Sequence, residues 1–342
     1  MGPHPAVAAI RHAVRGSISW LEPGDLVLVA CSGGADSLAL AAAVAFEAEY
    51  AGLRAGGVTV DHGLQQTSAE VAKQAVAAMS ALGLDPVLCA SASVASAGDS
   101  HYPGPEAAAR SARYAALEQV ARSCGAAAVL LGHTLDDQAE TVLLGLARGS
   151  GPRSLSGMTA RSGLYLRPLL GIRREQTKVA CAALDLQPWE DPHNADPAFS
   201  RVKVRQDLMP AFEKALGPGV AQALARTADL LRADSDVLDE MATAQIERIG
   251  GIGAATAEGW PAEALAALPM AIRHRMLRAA ALAAGCQPGA LAMRHVVRMD
   301  ELITSWRGQR WTDLPGAIRC ERRYGRLLFT AALRSEDQGG RE

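Results

Sequence analysis

Several things are scarce in this sequence. Its six cysteines, at 31, 89, 124, 181, 286 and 320, contain no CxxC pair. Neither a zinc cluster nor a disulfide framework is therefore expected, and reduced thiols are. Aromatic residues are 4% of the chain, too few to make a base-stacking platform evident. No apolar run approaches the ~18 residues of a membrane span. The apolar run at 6–10 is too short for a signal peptide, and Arg11 and Arg15 follow it. A cytoplasmic protein is expected. Lysine is rare: Lys73, Lys178, Lys203 and Lys214 are the only ones among 34 basic residues, so arginine carries the positive charge. The formal net charge of −2 argues neither for nor against a polyanionic partner. Two common nucleotide signatures are also missing. No Gly-Lys-Ser/Thr follows the first glycine turn, and no GxGxxG occurs there.

What is present begins at Leu26–Ser37, LVLVACSGGADS. A β-branched apolar run stops at a glycine turn, and an Ala/Leu-rich helical stretch follows. Gly33 and Gly34 let the backbone come close to a ligand. Ser32 and Ser37 offer hydroxyls, and a helix start offers unpaired N–H groups and a positive dipole end. This is a candidate phosphate cradle. Asp36 either caps the helix or faces a Mg²⁺ that separates it from phosphate.

Along the chain, strands are expected at 26–30, 56–60, 86–90 and 126–131. Helices are expected at 6–20, 38–49, 68–82, 106–124 and 136–147, with a surface loop at 91–105. This alternation predicts an α/β fold, a parallel sheet with helices on both faces. Ligands of such sheets sit at the carboxyl ends of the strands. Further helices are expected at 173–184 and 202–216. Gly217-Pro218-Gly219 marks a boundary. It divides the chain into a first domain, 1–216, and a second, 217–342. The second reads as helices at 220–248, 261–284 and 288–306, then a hairpin around Tyr324-Gly325 and a disordered tail at 335–342.

Other strand ends carry chemistry. At 132–141, GHTLDDQAET, Asp137 and Glu140 are three apart on a helix and share a face. They either favour the helix dipole or hold Mg²⁺ or an ammonium group. His133 precedes them as a cap, a core residue or a phosphate contact. Asp61-His62 ends the second strand, as a turn or a nucleoside contact. Glu106, Arg110 and Arg113 lie at helical spacing, as a salt-bridged face or a functional one. Arginines also cluster from Arg148 to Arg174, at Arg201–Arg205 and from Arg294 to Arg326, which fits a polyanion met on one face.

The SGGADS turn resembles the loop of the N-type ATP pyrophosphatases, the PP-loop enzymes. Six further stretches extend the likeness: VDHGL (60–64), EAAARSARY (106–114), GHTLDDQAETVLLGLARGSG (132–151), RPLLGIRR (167–174), WEDPHNADPAFSRVKVR (189–205) and DLMPAFEKALGPG (207–219). In this order they resemble the tRNA(Ile)-lysidine synthetase family. The resemblance implies that ATP adenylates the carbonyl oxygen at carbon 2 of the first anticodon cytidine of an isoleucine tRNA with a CAU anticodon. Free L-lysine then displaces AMP. It also implies roles. Ser32, Gly33, Gly34, Ala35 and Ser37 bind pyrophosphate, and Asp36 assists through Mg²⁺. Asp61 and His62 lie near the nucleoside, and His133 near the phosphates. Asp137 and Glu140 receive lysine or metal. Arg113 and Arg205 stabilise phosphate charge or position the tRNA. A homodimer is the family-based expectation. Gln65 stands where a basic residue is expected, and Arg201–Arg205 lacks an expected Asn. The alternative is another PP-loop enzyme, a tRNA thiolase or an amide-forming synthetase. Thiolation needs a nucleophilic cysteine pair or an iron–sulfur cluster.

Overall fold

The computed structural model describes residues 2–61, 68–91, 105–149, 151–191, 196 and 199–332. His62, most of the expected 91–105 loop and the expected tail lie outside the described residues. The chain forms two compact units, divided between Leu231 and Arg232.

In the first unit, α1 (Pro5–Ile18) opens on His4, whose Nδ1 accepts from the Ala6 N–H. Then come β1 (Leu26–Ala30), α2 (Ala35–Tyr50), β2 (Arg54–Asp61), α3 (Ser68–Ala81), β3 (Val87–Ser91), α4 (Pro105–Cys124), β4 (Ala126–Leu131) and α5 (Leu135–Ala147). Short elements follow: α6 (Pro152–Leu155), β5 (Arg161–Ser162), β6 (Tyr165–Leu166) and a 3₁₀ turn at Pro168–Gly171. Last are α7 (Arg174–Ala183), α8 (Ser200–Lys203), a π-helical turn at Val204–Leu208, α9 (Met209–Leu216) and α10 (Val220–Arg248), which continues into the second unit.

The sheet order is β3-β2-β1-β4-β6-β5. The pairs β1–β2, β1–β4, β2–β3 and β4–β6 are parallel, and β5–β6 is antiparallel. Central β1 is buried on both faces, as helices on both sides require. Its side chains alternate. Val27 and Val29 join a core with α1, α2 and α7, while Leu26 and Leu28 join one with Leu117 and Ala121 of α4. Strand order reverses at β1, since β2 lies on one side and β4 on the other. A crevice therefore opens where β1 and β4 end.

The second unit contains α11 (Gly251–Ala257), β7 (Trp260–Pro261), α12 (Ala262–Ala266), α13 (Met270–Ala283), α14 (Met293–Thr304), β8 (Trp311–Leu314), β9 (Ile318–Arg323) and β10 (Arg326–Ala331). Its antiparallel sheet runs β7-β10-β9-β8 over a core centred on Trp260 and Phe329. The expected hairpin is present, with Tyr324 at φ 49°. The helix expected over 261–284 is instead two. Pro269 lacks an N–H and disfavours helical backbone before it, so α13 restarts there. The helix expected at 288–306 begins only at Met293, and β5 to β8 were too short to carry a legible pattern.

Candidate active site

The loop from β1 to α2 is built around Ser37. Its Oγ accepts from the Ser32 N–H at 3.1 Å, donates to the Gly34 carbonyl at 2.9 Å and lies 3.3 Å from Ser32 Oγ. Gly33 takes φ +86°, a region that side-chain-bearing residues avoid, and its carbonyl accepts from the Trp189 N–H at 3.0 Å. Gly34 is the N-cap of α2, and no side chain caps it. The first N–H groups of α2 thus have no side-chain cap, at the positive end of the helix dipole. Asp36 is the second residue of α2, not its cap. Of the two readings open to the sequence, helix capping by Asp36 is removed.

The end of β4 presses on this loop. A Cβ added at Gly132 would sit 3.1 Å from the Ser37 backbone nitrogen and 3.2 Å from the Asp36 carbonyl. Gly132 therefore lets the two strand ends share one crevice. After it, Thr134 caps α5 in a reciprocal box. Asp137 Oδ2 accepts from the Thr134 N–H and hydroxyl, each at 2.8 Å, and Thr134 Oγ1 accepts from the Asp137 N–H. The other oxygen, Asp137 Oδ1, accepts from Arg174 Nη2 at 2.8 Å. One carboxylate oxygen thus serves the helix start and the other holds Arg174.

Arg174 is the hub. It starts α7, and its backbone N–H is fixed by Asp136 Oδ2 at 2.7 Å. Its guanidinium reaches Asp137, Glu140 at 3.2 Å and Asp36 at 3.5 Å. Asp36 also accepts from the hydroxyl of buried Thr177 on α7. Glu140 is only 1% exposed, against 13% for Asp137 and 25% for Asp36. Arg205 forks onto Glu140 at 2.8 and 3.2 Å and lies 3.6 Å from Asp137, while Arg201 lies 3.7 Å from Glu140. Arg173 pairs with Asp136 at 3.2 Å. Four acids thus face four arginines.

Electrostatics follow the contacts. Burial pushes the Asp36 carboxyl above the usual carboxylate range, and Thr177 and Arg174 only partly offset it. Burial pushes Asp137 the same way, but Arg174, the Thr134 N–H and His133 outweigh it and hold Asp137 below that range. For Arg174, burial is outweighed by Asp137, Glu140, Asp36 and Asp136, so its guanidinium is raised further. His133 is pulled down to about 3 by burial, against the attraction of Asp137 and with help from Arg113, Arg167 and Arg110. Its Nδ1 is buried without a hydrogen-bond partner among the described residues. Burial also lowers Arg113, which lies near Arg110 and Arg201 with its guanidinium 5.6 Å from the Tyr114 ring centre.

The structure thus brings together Asp36, Asp137, Glu140 and Arg205 beside the loop of Ser32, Gly33, Gly34, Ala35 and Ser37. His133 and Arg113 lie next to this group. Asp61 ends β2 at the same edge, one strand away from β1. Sequence reasoning missed Arg174, Thr177, Thr134 and Arg201 as site residues. The adjacent arginines closing RPLLGIRR were the available signal. Among the described residues no group of three or more His, Cys, Asp or Glu side chains is placed to hold a metal ion, so there is no ready-made metal cage. One carboxylate beside a phosphate cradle suits Mg²⁺, which uses one or two carboxylates plus substrate phosphates.

A profile of the PP-loop domain matches residues 11–212, and one of the TilS substrate binding domain matches 261–328. The tRNA(Ile)-lysidine synthase of Thermobifida fusca is 56% identical over 331 residues, covering 96% of this chain and 99% of the relative. This chain belongs to the tRNA(Ile)-lysidine synthase family. The Streptomyces coelicolor member is 53% identical over 358 residues, again covering 96% and 99%. The U34-tRNA thiolase NcsA of Methanococcus maripaludis, solved with its [4Fe-4S] cluster, superposes with TM-score 0.56 at 19% identity. The match covers 66% of this chain and 80% of that one, a likeness of fold.

Proposed function

We propose that this chain is an ATP-using ligase that joins free L-lysine to carbon 2 of the first anticodon cytidine of an isoleucine tRNA. The cytidine carbonyl oxygen attacks the α-phosphorus of ATP and pyrophosphate leaves. The ε-amino group of lysine then attacks carbon 2, and AMP leaves with that oxygen. The meeting of the loop and the Asp36–Asp137 acid pair at one crevice carries this reading, within the family already shown.

In this reading Ser32, Gly33, Gly34, Ala35 and Ser37 cradle the leaving pyrophosphate with N–H groups and hydroxyls. Asp36 holds Mg²⁺, which when bound neutralises charge on the phosphates. Asp137, kept ionised, receives the lysine ammonium group. Glu140 aligns Arg174, Arg201 and Arg205 more than it meets a ligand, because it is buried under all three. Arg113 and neutral His133 face phosphate, and Asp61 and His62 face the nucleoside. Residues 1–216 act as the catalytic domain and 217–342 as the tRNA-binding domain, with the working form a cytoplasmic homodimer. Arginine–aromatic pairs in the second unit support the tRNA assignment: Arg319 over Trp311 at 4.6 Å, Arg322 over Trp306 at 4.5 Å and Arg323 over Tyr324 at 5.2 Å.

Thiolation is disfavoured. Burial pushes the Cys31 thiol up, and it pushes Cys181 up to about 11, so both cysteines near the loop are held as weakly nucleophilic thiols. The test is incorporation of labelled lysine, with ATP and Mg²⁺, into an unmodified isoleucine tRNA transcript bearing CAU. A methionine tRNA with the same anticodon is the control. Label in the isoleucine tRNA alone is expected. Failure in both, with ATP still cleaved to AMP, would keep the ATP chemistry and discard the substrate.

A further inference from the structure

The pocket acids are already occupied by the protein's own cation. Among the described residues, Arg174 is the one guanidinium within ion-pair distance of Asp36, at 3.5 Å. It is also the nearest to Asp137, at 2.8 Å, with Arg205 at 3.6 Å. The remaining pairs are satisfied without it: Arg173 neutralises Asp136, and Arg201 and Arg205 neutralise Glu140. So Asp36 and Asp137 share Arg174. A divalent cation or an ammonium group arriving at Asp36 and Asp137 meets an acid pair already partly compensated by a guanidinium at close range. Like charges that close in a partly buried site repel strongly. A polyphosphate on the loop changes the balance. Asp36 lies in the loop's own helix, so phosphates held there come within reach of Arg174's flexible side chain. A guanidinium matches phosphate oxygens at least as well as carboxylates.

We propose that Arg174 is a resident stand-in for the cationic ligands of this pocket, released toward phosphate when nucleotide binds, so that nucleotide must precede the metal and the amine. This rests on the reading of the Ser32–Ser37 loop as the phosphate cradle. Arg174 is then a positioning residue that imposes binding order. It offsets part of the acid pair's charge and hinders cations there while the loop is empty.

The test uses the full chain without tRNA. Mn²⁺ binding is followed by electron paramagnetic resonance in the wild type, Arg174→Ala and Arg174→Lys, without nucleotide. Removing one like charge at ion-pair range should tighten Mn²⁺ binding at least about tenfold in Arg174→Ala. Arg174→Lys, which keeps the charge, should stay near the wild type. A purely structural role would weaken binding or leave it unchanged, so Arg174→Ala binding no tighter than the wild type overturns the proposal. Should Arg174→Ala not fold, the wild type decides alone. Labelled lysine should bind in equilibrium dialysis only when a non-hydrolysable ATP analogue is present, and equal binding without it overturns the ordering. The analogue's own binding is measured by calorimetry. Its failure to bind would overturn the loop assignment, and the ordering with it, while the nucleotide-free Mn²⁺ titration still decides the stand-in role.

Discussion

Asp137 shows how much a single side chain carries here. One carboxylate oxygen caps a helix and the other holds an arginine. Asp137→Asn keeps the shape but removes the charge that faces Arg174. Lysidine formation should fall by about 10²-fold or more, as when a preorganised charged group is lost from a reaction site. The assay is lysine incorporation with folding followed in parallel, and full activity would remove Asp137 from the chemistry. His133 makes a pH prediction. Its folded pKa is about 3, against about 6.5 when unfolded. Between these values the unfolded chain takes up a proton that the folded chain refuses. Stability should therefore fall as pH drops from about 6.5 toward 3, by at most about 1.4 kcal/mol per pH unit from this residue. Urea unfolding at pH 7 and pH 5 should show a smaller loss in His133→Asn than in the wild type. Asp137 adds the same sign at lower pH. Its depressed pKa gives stability present above the ordinary carboxylate range and lost as pH falls through the folded value.

Among elements, α7 joins the loop to the acids. Thr177 and Arg174 both lie on it and both reach Asp36. Thr177→Val keeps the packing and deletes the hydroxyl. It should leave the fold intact and reduce kcat/KM for ATP by about tenfold, the effect of losing one hydrogen bond to a charged group. Unchanged ATP kinetics would detach α7 from the loop's function. The strand–loop–helix at 26–50 was legible because its cues are local: a buried β-branched run, two glycines, an Ala/Leu helix. The pocket was legible only in halves. Asp137 and Glu140 stood out at helical spacing, but their arginine partners lie 37 and 34 residues away for Arg174 and 65 for Arg205. Thr177 is 141 residues from Asp36. No local pattern encodes such pairs, so the arginines read only as a basic run. Pro269 was visible in the sequence, yet a continuous apolar period masked the break it makes.

For the whole molecule, near-neutral net charge hides an uneven distribution. The second unit gathers exposed Trp306, Trp311 and Tyr324, three of the chain's few aromatics, each beside an arginine. The low aromatic content made no stacking platform evident, because composition cannot report where residues gather. If these pairs meet tRNA, affinity should fall steeply with salt. Removing both Arg319 and Arg323 should lower the slope of log K against log salt by about two. Filter binding across a salt series measures this. An unchanged slope would place the tRNA contacts elsewhere.

Gly132 has one more consequence. Its missing side chain is the space into which the first turn of α2 fits, with the Ser37 nitrogen 3.1 Å from where a Cβ would stand. The two strand ends are thus a single packed unit, though about a hundred residues of chain separate them. A descendant that gains a side chain at 132 needs the backbone at 36–37 to give by a few tenths of an ångström. Across lineages the two positions should be kept together or changed together, and a laboratory search for suppressors of Gly132→Ala should return substitutions at the start of α2.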